Sequence, residues 1–230
     1  MKINTAFILC AGYGKRLNPI TLKKPKPLIN INNSTLLEKT LNFLEELGVQ
    51  NIKLNVFYLQ DQIIEFISNY KSQMEIEIIK DGEKILDTGG GIFKLIKSST
   101  DNDFLVLNPD TVWTSNNKET VKEMIEFYYD KKIKNLLMVV NKSKSFDKRF
   151  KGDFELKENK LVRQKENNFI YTGCQIINKN LFNDIKETSF SISYIWNKQL
   201  DSKNLHGYES KEAFVHLTDL EIYNELLKNN

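Results

Sequence analysis

The stretch FILCAGYGKRLNPITLKKPKPL, residues 7–28, begins as a strand and ends as something else. Phe7 to Cys10 continue an apolar run from Thr5, the pattern of a short buried strand. The run then meets Gly12 and Gly14, followed by Lys15, Arg16 and lysines at 23, 24 and 26. Three of the four prolines fall here, and two of them, Pro25 and Pro27, flank Lys26. A loop that only joined two elements would need no such charge. A strand that empties into glycines and cations has the layout of an anion site.

Outward from that loop, Thr35 to Glu38 form a capping box, and Leu37, Leu41 and Leu44 repeat at helical spacing up to Gly48. NIKLNVFYL (51–59) reads as a strand, QDQIIEFISNY (60–70) as an amphipathic helix and MEIEIIK (74–80) as a third strand. DTGGGIFKLIK (87–97) reads as a glycine loop feeding a helix, and DFLVLNPD (103–110) as a buried strand with a polar tip. This β-α-β-α-β-α-β order predicts an α/β fold with a parallel sheet and helices on both faces. The second half is more mixed. It holds a helix over 117–132, a strand over 135–140, a hairpin over 152–164, a strand over 169–178 and a last helix opened by Thr218, with Glu221 completing a second capping box. There is no internal repeat and no low-complexity segment.

The chain has 230 residues, 27% of them charged, and a net charge of +3. That length suits one domain, and that charge is too small to argue for nucleic acid or an acidic membrane. Cys10 and Cys174 make no disulfide framework and no CxxC pair, so both are expected as buried thiols. No signal peptide and no run of about 20 apolar residues is present. A cytoplasmic protein is expected, with no membrane partner.

In open α/β sheets ligands bind at the carboxyl ends of strands. Three polar loops follow strands here, at 11–27, 87–91 and 108–110, and are expected to form one site. Gly12-x-Gly14 matches only part of a GxGxxG fingerprint, because Leu17 takes the third glycine's place. A P-loop fails too, because Arg16 rather than Ser or Thr follows Gly14-Lys15. What remains is a glycine turn whose amides can approach a phosphate. Arg16 supplies a planar donor fork, and Lys26 is an ammonium on a backbone stiffened by prolines. A merely basic surface loop is the competing reading of those residues.

The whole string is more specific. CAGYGKRLNPITLKKPKPL resembles the signature of the sugar 1-phosphate nucleotidyltransferases, [AL]-A-G-x-G-x-R-[LM]-x-P-x-T followed by P-K-P-[LM]. DTGGGI (87–92), FLVLNPDTVW (104–113) and YTGCQIINKNLF (171–182) are similar to segments of the N-acetylmuramate 1-phosphate uridylyltransferase branch. The resemblance implies a single-domain, Rossmann-like fold over 1–230, GT-A-like, with a mixed, mostly parallel sheet flanked by helices. Its nucleotide-binding part would cover about 1–115 and its sugar-binding part about 116–230. It implies transfer of a nucleotidyl group from a nucleoside triphosphate to a sugar 1-phosphate. UTP with N-acetylmuramate 1-phosphate is the first expectation. Mannose-1-phosphate guanylyltransferase, choline-phosphate cytidylyltransferase and a non-catalytic nucleotide-sugar-binding regulator are the alternatives.

Carried onto this chain, the resemblance implies Arg16, Lys26 and Asp110 as catalytic residues, and a Mg²⁺ cofactor, with Mn²⁺ as substitute, held by Asp110. Ala11, Gly12, Gly14, Lys15 and Arg16 would bind the nucleotide, and Gly89 and Gly90 would leave room for a base or ribose. Asn108, Lys165, Thr172 and Gly173 would contact the sugar phosphate. Two departures stand out. Pro109 replaces the usual glycine before the metal aspartate. Near the C-terminus, where the family carries W-x-D-x-G-T-P, this chain has AFVHLTDLEIY (213–223), which puts His216 near the second metal position and Asp219 close by. With no hexapeptide repeats, no acyltransferase arm is expected, and the protein is expected as a monomer or small homo-oligomer.

Overall fold

The computed structural model describes residues 3–186 and 189–228. Four parallel strands build the first half of the sheet: β1 (Thr5–Leu9), β4 (Asn51–Val56), β5 (Glu75–Lys80) and β6 (Asp103–Leu107). A short hairpin, β2 (Asn30–Ile31) and β3 (Ser34–Thr35), turns through Asn32 and Asn33, both at positive φ, the conformation a tight hairpin turn demands. The crossovers are α1 (Leu36–Leu47), α2 (Gln60–Asn69) and α3 (Asp87–Lys97). The second half adds α4 (Asn117–Asp130), β7 (Asn135–Asn141), β8 (Glu155–Lys157), β9 (Lys160–Val162), β10 (Phe169–Asn178), α5 (Ser193–Asp201), β11 (His206–Ser210) and α6 (Leu220–Lys228).

Together they form a nine-stranded sheet in the order β5-β4-β1-β6-β10-β7-β11-β9-β8. β10 runs antiparallel between β6 and β7, while β11 rejoins β7 in parallel. The sheet is therefore mixed and mostly parallel, as the alternation of elements predicts. Side chains alternate across it. Ala6, Ile8, Leu105 and Leu107 face α1, α2 and α4, whereas Phe7, Phe104 and Val106 face α3 and α5. Phe7 and Phe104 stack with ring centroids 4.4 Å apart. Burying each such ring contributes roughly 1.5–3 kcal/mol. α1 begins as its sequence predicts. Thr35 Oγ1 accepts from the Glu38 amide at 3.1 Å, Glu38 Oε2 accepts from the Thr35 amide, and Gly48 ends the helix at φ +82°.

Three local expectations change. The stretch 87–91 is not a loop: the three glycines lie inside the first turns of α3 and all are buried. Helix α6 is not opened by Thr218. Asp219 Oδ1 accepts from the Ile222 amide, which makes Asp219 the cap and leaves Glu221 free to reach Arg149. α5 and β11 have no clear signal in the sequence. HGYES alternates poorly, and it forms a strand because β7 offers a parallel edge for it.

Candidate active site

The signature loop is built from three 3₁₀ turns, at Lys15–Leu17, Ile20–Leu22 and Lys26–Leu28. Gly14 sits at φ +64°, and a Cβ there would come within 3.1 Å of the Lys26 Cβ, so the turn folds directly onto the lysine. Thr21 is fully buried and donates its hydroxyl to the Gly14 carbonyl at 3.0 Å and to Asn18 Oδ1 at 2.9 Å. Leu17 packs with Leu36, Leu217 and Ile222, which ties the loop to the C-terminal segment. Lys15, Arg16, Lys23 and Lys24 stay exposed, while Lys26 is half-buried.

Two adjoining cavities open on this loop. The first is walled by Ala11, Gly12 and Gly14 on one side, and by Ile85, Asp87 and Thr88 on the other, with Asn55, Asn108 and Pro109 at its floor. The second carries Lys15 and Arg16 with Thr218. Gly12, Gly14, Lys26 and Asp110 line both. At this junction Lys26 Nζ lies 2.6 Å from Asp110 Oδ2, a charge-assisted contact between residues 84 positions apart. Burial alone would raise the Asp110 carboxyl, but His216 and Lys26 outweigh it and hold it at about 2. It is ionised at neutral pH.

Asp110 is fixed from behind. Its carbonyl accepts from the Leu217 amide at 2.8 Å, and Val112 donates to the Val215 carbonyl at 2.9 Å. This small ladder brings His216 to Asp110, with Nε2 3.6 Å from Oδ2, and flanks the imidazole with Phe150 and Phe214. Burial pushes the His216 pKa down, although Asp110 pulls it up. Asp110 Oδ1 is buried with no hydrogen-bond partner. An unpaired carboxylate oxygen in a polyanion-sized cleft fits a hard divalent cation. Among the described residues no three acidic, histidine or cysteine side chains cluster tightly enough to hold a metal alone. Phosphate oxygens and water would have to complete the shell. Asp219 is not available for it: it caps α6 and its Oδ2 accepts from Arg149 at 2.8 Å.

Several sequence-predicted residues lie elsewhere. Gly89 and Gly90 do not line the first cavity. A Cβ on Gly89 would sit 2.5 Å from the Phe190 ring, and the Gly90 amide donates to the Phe190 carbonyl, so α3 needs them to pack against that residue. Lys165 is exposed and outside both cavities. Thr172 is buried, its hydroxyl donating to the Met138 carbonyl. Gly173, at φ +85° in the bulge of β10, accepts the Asn108 amide at 2.8 Å, so it supports Asn108 from behind. Asp87 and Thr88, from the 87–91 stretch expected at the site, line the first cavity, Asp87 at φ +58°. Asn55 lines it too and was missed, although its place near the carboxyl end of a predicted strand is a usable signal.

Residues 5–150 match the nucleotidyl transferase family, and the chain belongs to it. The chain is 29% identical over 192 residues to the bifunctional protein GlmU of Methanocaldococcus jannaschii, covering 81% of this chain but 43% of that one. It is 24% identical to the N-acetylmuramate alpha-1-phosphate uridylyltransferase of Caulobacter vibrioides, over 93% of this chain and 91% of the relative. The fold is that of HddC from Yersinia pseudotuberculosis complexed with GMP-PN, with a TM-score of 0.80, 22% identity and 99% coverage of both chains.

Proposed function

We propose that the protein transfers a nucleotidyl group from a nucleoside triphosphate to a sugar 1-phosphate, with UTP and N-acetylmuramate 1-phosphate as substrates and Mg²⁺ as cofactor. The observation that carries the reading is the junction of the two cavities. One is largely apolar with backbone polar groups, suited to a nucleoside; the other is cationic, suited to a polyphosphate; Lys26 and Asp110 stand between them. A triphosphate laid across both has its α-phosphorus at that pair.

A sugar phosphate oxygen then attacks the α-phosphorus in line. The bond from α-phosphorus to the bridging oxygen of the β-phosphate breaks, and pyrophosphate leaves with that electron pair. No covalent enzyme intermediate is required, so the work is positioning and charge neutralisation. Lys26 neutralises the reacting phosphates, Arg16 and Lys15 hold the leaving pyrophosphate, and the amides of residues 11–14 orient the chain of phosphates. Mg²⁺ bound to Asp110, with His216 as a neighbouring ligand, would supply further neutralisation of the phosphate oxygens.

The substrate choice rests on DTGGGI and NPDTVW, and on the likeness to the Caulobacter uridylyltransferase along nearly its whole length. Pyrophosphate release should be measured with each of the four triphosphates against N-acetylmuramate, glucose, N-acetylglucosamine and mannose 1-phosphates and phosphocholine. The highest kcat/KM is expected for UTP with N-acetylmuramate 1-phosphate. A preference for GTP with mannose 1-phosphate, or CTP with phosphocholine, would replace the substrates and keep the chemistry. No release with any pair would leave a nucleotide-binding regulator.

A further inference from the structure

Asn55 is 3% exposed and Asp81 5% exposed, two buried polar side chains of which Asn55 lines the first cavity. Asn55 Oδ1 accepts from the Cys10 amide at 3.1 Å, at the root of the signature loop. Its Nδ2 donates to Asp81 Oδ1 at 3.0 Å. Asp81 Oδ2 in turn accepts from the Leu86 amide at 3.2 Å, one residue from the opposite wall. Lys94 of α3 donates its ammonium to the Asp81 carbonyl at 2.9 Å. A Cβ on Gly91 would come 2.7 Å from Asn55 Nδ2, so the third glycine of α3 makes room for this pair.

We infer that Asn55 and Asp81 form a polar brace that sets the distance between the two walls of the nucleotide cavity, and so act as positioning residues for the triphosphate. The inference rests on the nucleotidyl-transfer reading above. Its physical basis is that the brace ends on two backbone amides, Cys10 in one wall and Leu86 beside the other. An apolar pair of the same volume would fill the space while leaving the Leu86 amide without its acceptor and the Cys10 amide with only the Asn55 main-chain carbonyl, 3.2 Å away. Hydrogen bonds are also short and directional, so they fix a spacing that apolar packing alone leaves adjustable. Asn108 and Pro109, which follow β6 on the far side of β1 from β4, are not touched by the brace.

The brace has a polarity, amide to carboxylate, and that makes it testable. Asn55→Asp sets two carboxylates face to face. Asp81→Asn forces an amide N–H against either the Asn55 amide or the Leu86 N–H. In the double variant Asn55→Asp/Asp81→Asn every bond returns, with only the one between positions 55 and 81 reversed in direction. The new carboxylate at position 55 accepts from Cys10 and from the new amide at position 81, whose oxygen accepts from Leu86.

UTP, GTP, CTP and ATP are titrated into wild-type protein by calorimetry, and the one that binds is used with the variants. Initial rates and melting temperatures are recorded beside the titrations. Each single variant should weaken triphosphate binding about tenfold or more, the scale of losing a hydrogen bond to a charged group. The KM for the sugar phosphate should stay within about threefold, and the double variant should recover triphosphate affinity to within about threefold. Single variants that bind the triphosphate as wild type does, or that raise both KM values alike, overturn the brace. So does a double variant that regains its melting temperature without its affinity. Wild-type protein that binds none of the four overturns the nucleotidyl-transfer reading, and the brace with it.

Discussion

Lys26 and Asp110 are each about four-fifths shielded from solvent or more, and each neutralises the other. A triphosphate entering the junction must take over both partners, the ammonium through its oxygens and the carboxylate through a shared cation. That exchange makes the pair costly to truncate for turnover, and for folding too, since losing Lys26 leaves the buried Asp110 carboxylate without its 2.6 Å partner. Lys26→Ala should lower kcat/KM by about two to three decades, the magnitude of losing one preorganised electrostatic stabiliser. Its melting temperature should fall as well, so steady-state pyrophosphate release is compared below the variant's unfolding transition. Turnover at wild-type level would remove Lys26 from the chemistry. Asp110→Asn keeps the shape and removes the charge, and should abolish activity across a Mg²⁺ and Mn²⁺ series. His216→Ala should cost less with Mg²⁺ than with Mn²⁺, because imidazole suits the softer ion better. Equal losses in both metals with a lowered melting temperature would show that His216 only packs.

Helix α3 illustrates how an element's own packing can explain residues that sequence alone would give to a ligand. Gly89 faces the Phe190 ring and carbonyl, so Gly89→Ala overpacks a helix contact. It should cost about 1–3 kcal/mol in urea unfolding, the range for overpacked cores. An unchanged unfolding midpoint would mean that Phe190 moves freely aside. The segment after His216 is held differently. Arg149 donates to Asp147, Asp219 and Glu221, which pins the start of α6 to the loop after β7. Hydrogen bonds from Arg149 lower the Asp147 carboxyl from 3.8 to about 2. The unfolded chain therefore takes up this proton first. The stabilisation is fully present above about pH 4 and fades as pH falls toward 2. Melting followed by circular dichroism should fall more steeply over that window in wild type than in Asp147→Asn. Parallel profiles would show that the cluster adds nothing to acid stability.

Across the whole molecule, the site is assembled from the carboxyl ends of β1, β4 and β6 and closed by the C-terminal segment that pairs behind Asp110. A ligand spanning both cavities contacts elements from both halves of the chain, so binding should stabilise the domain as a unit. At a hundred times its Kd, the preferred triphosphate should add about 2.7 kcal/mol. For a domain of this size that is a rise in melting temperature of roughly 5–10 °C. A shift absent with all four triphosphates would argue that none bridges the two cavities.

The sequence by itself determined whatever depends on neighbours a few positions apart. The buried run 5–10, the capping box at Thr35 and Glu38, the order of the first seven elements and the spacing of glycines, arginine and lysine in 11–27 are local, and each emerges in the structure where it was read. Arg16, Lys26 and Asp110 were legible through the spacing of the whole signature string and of NPDTVW, not through any one residue's place after a strand. What only the tertiary structure decided depends on partners far away in the chain. DTGGGI reads as a loop because isolated glycines favour none of the regular structures. It is helix in the fold, and Phe190 against position 89 and Asn55 against position 91 are why glycine is required there. Lys165 looked like a ligand by its distance from Gly173, but hairpin geometry turns it to solvent. Asp219 stands close to the second metal position in the sequence, but Arg149 and the start of α6 claim both its oxygens. Asn55 and Asp81, 26 residues apart, meet only because β4 and β5 align in parallel and deliver both to the same end of the sheet, a juxtaposition no periodicity records.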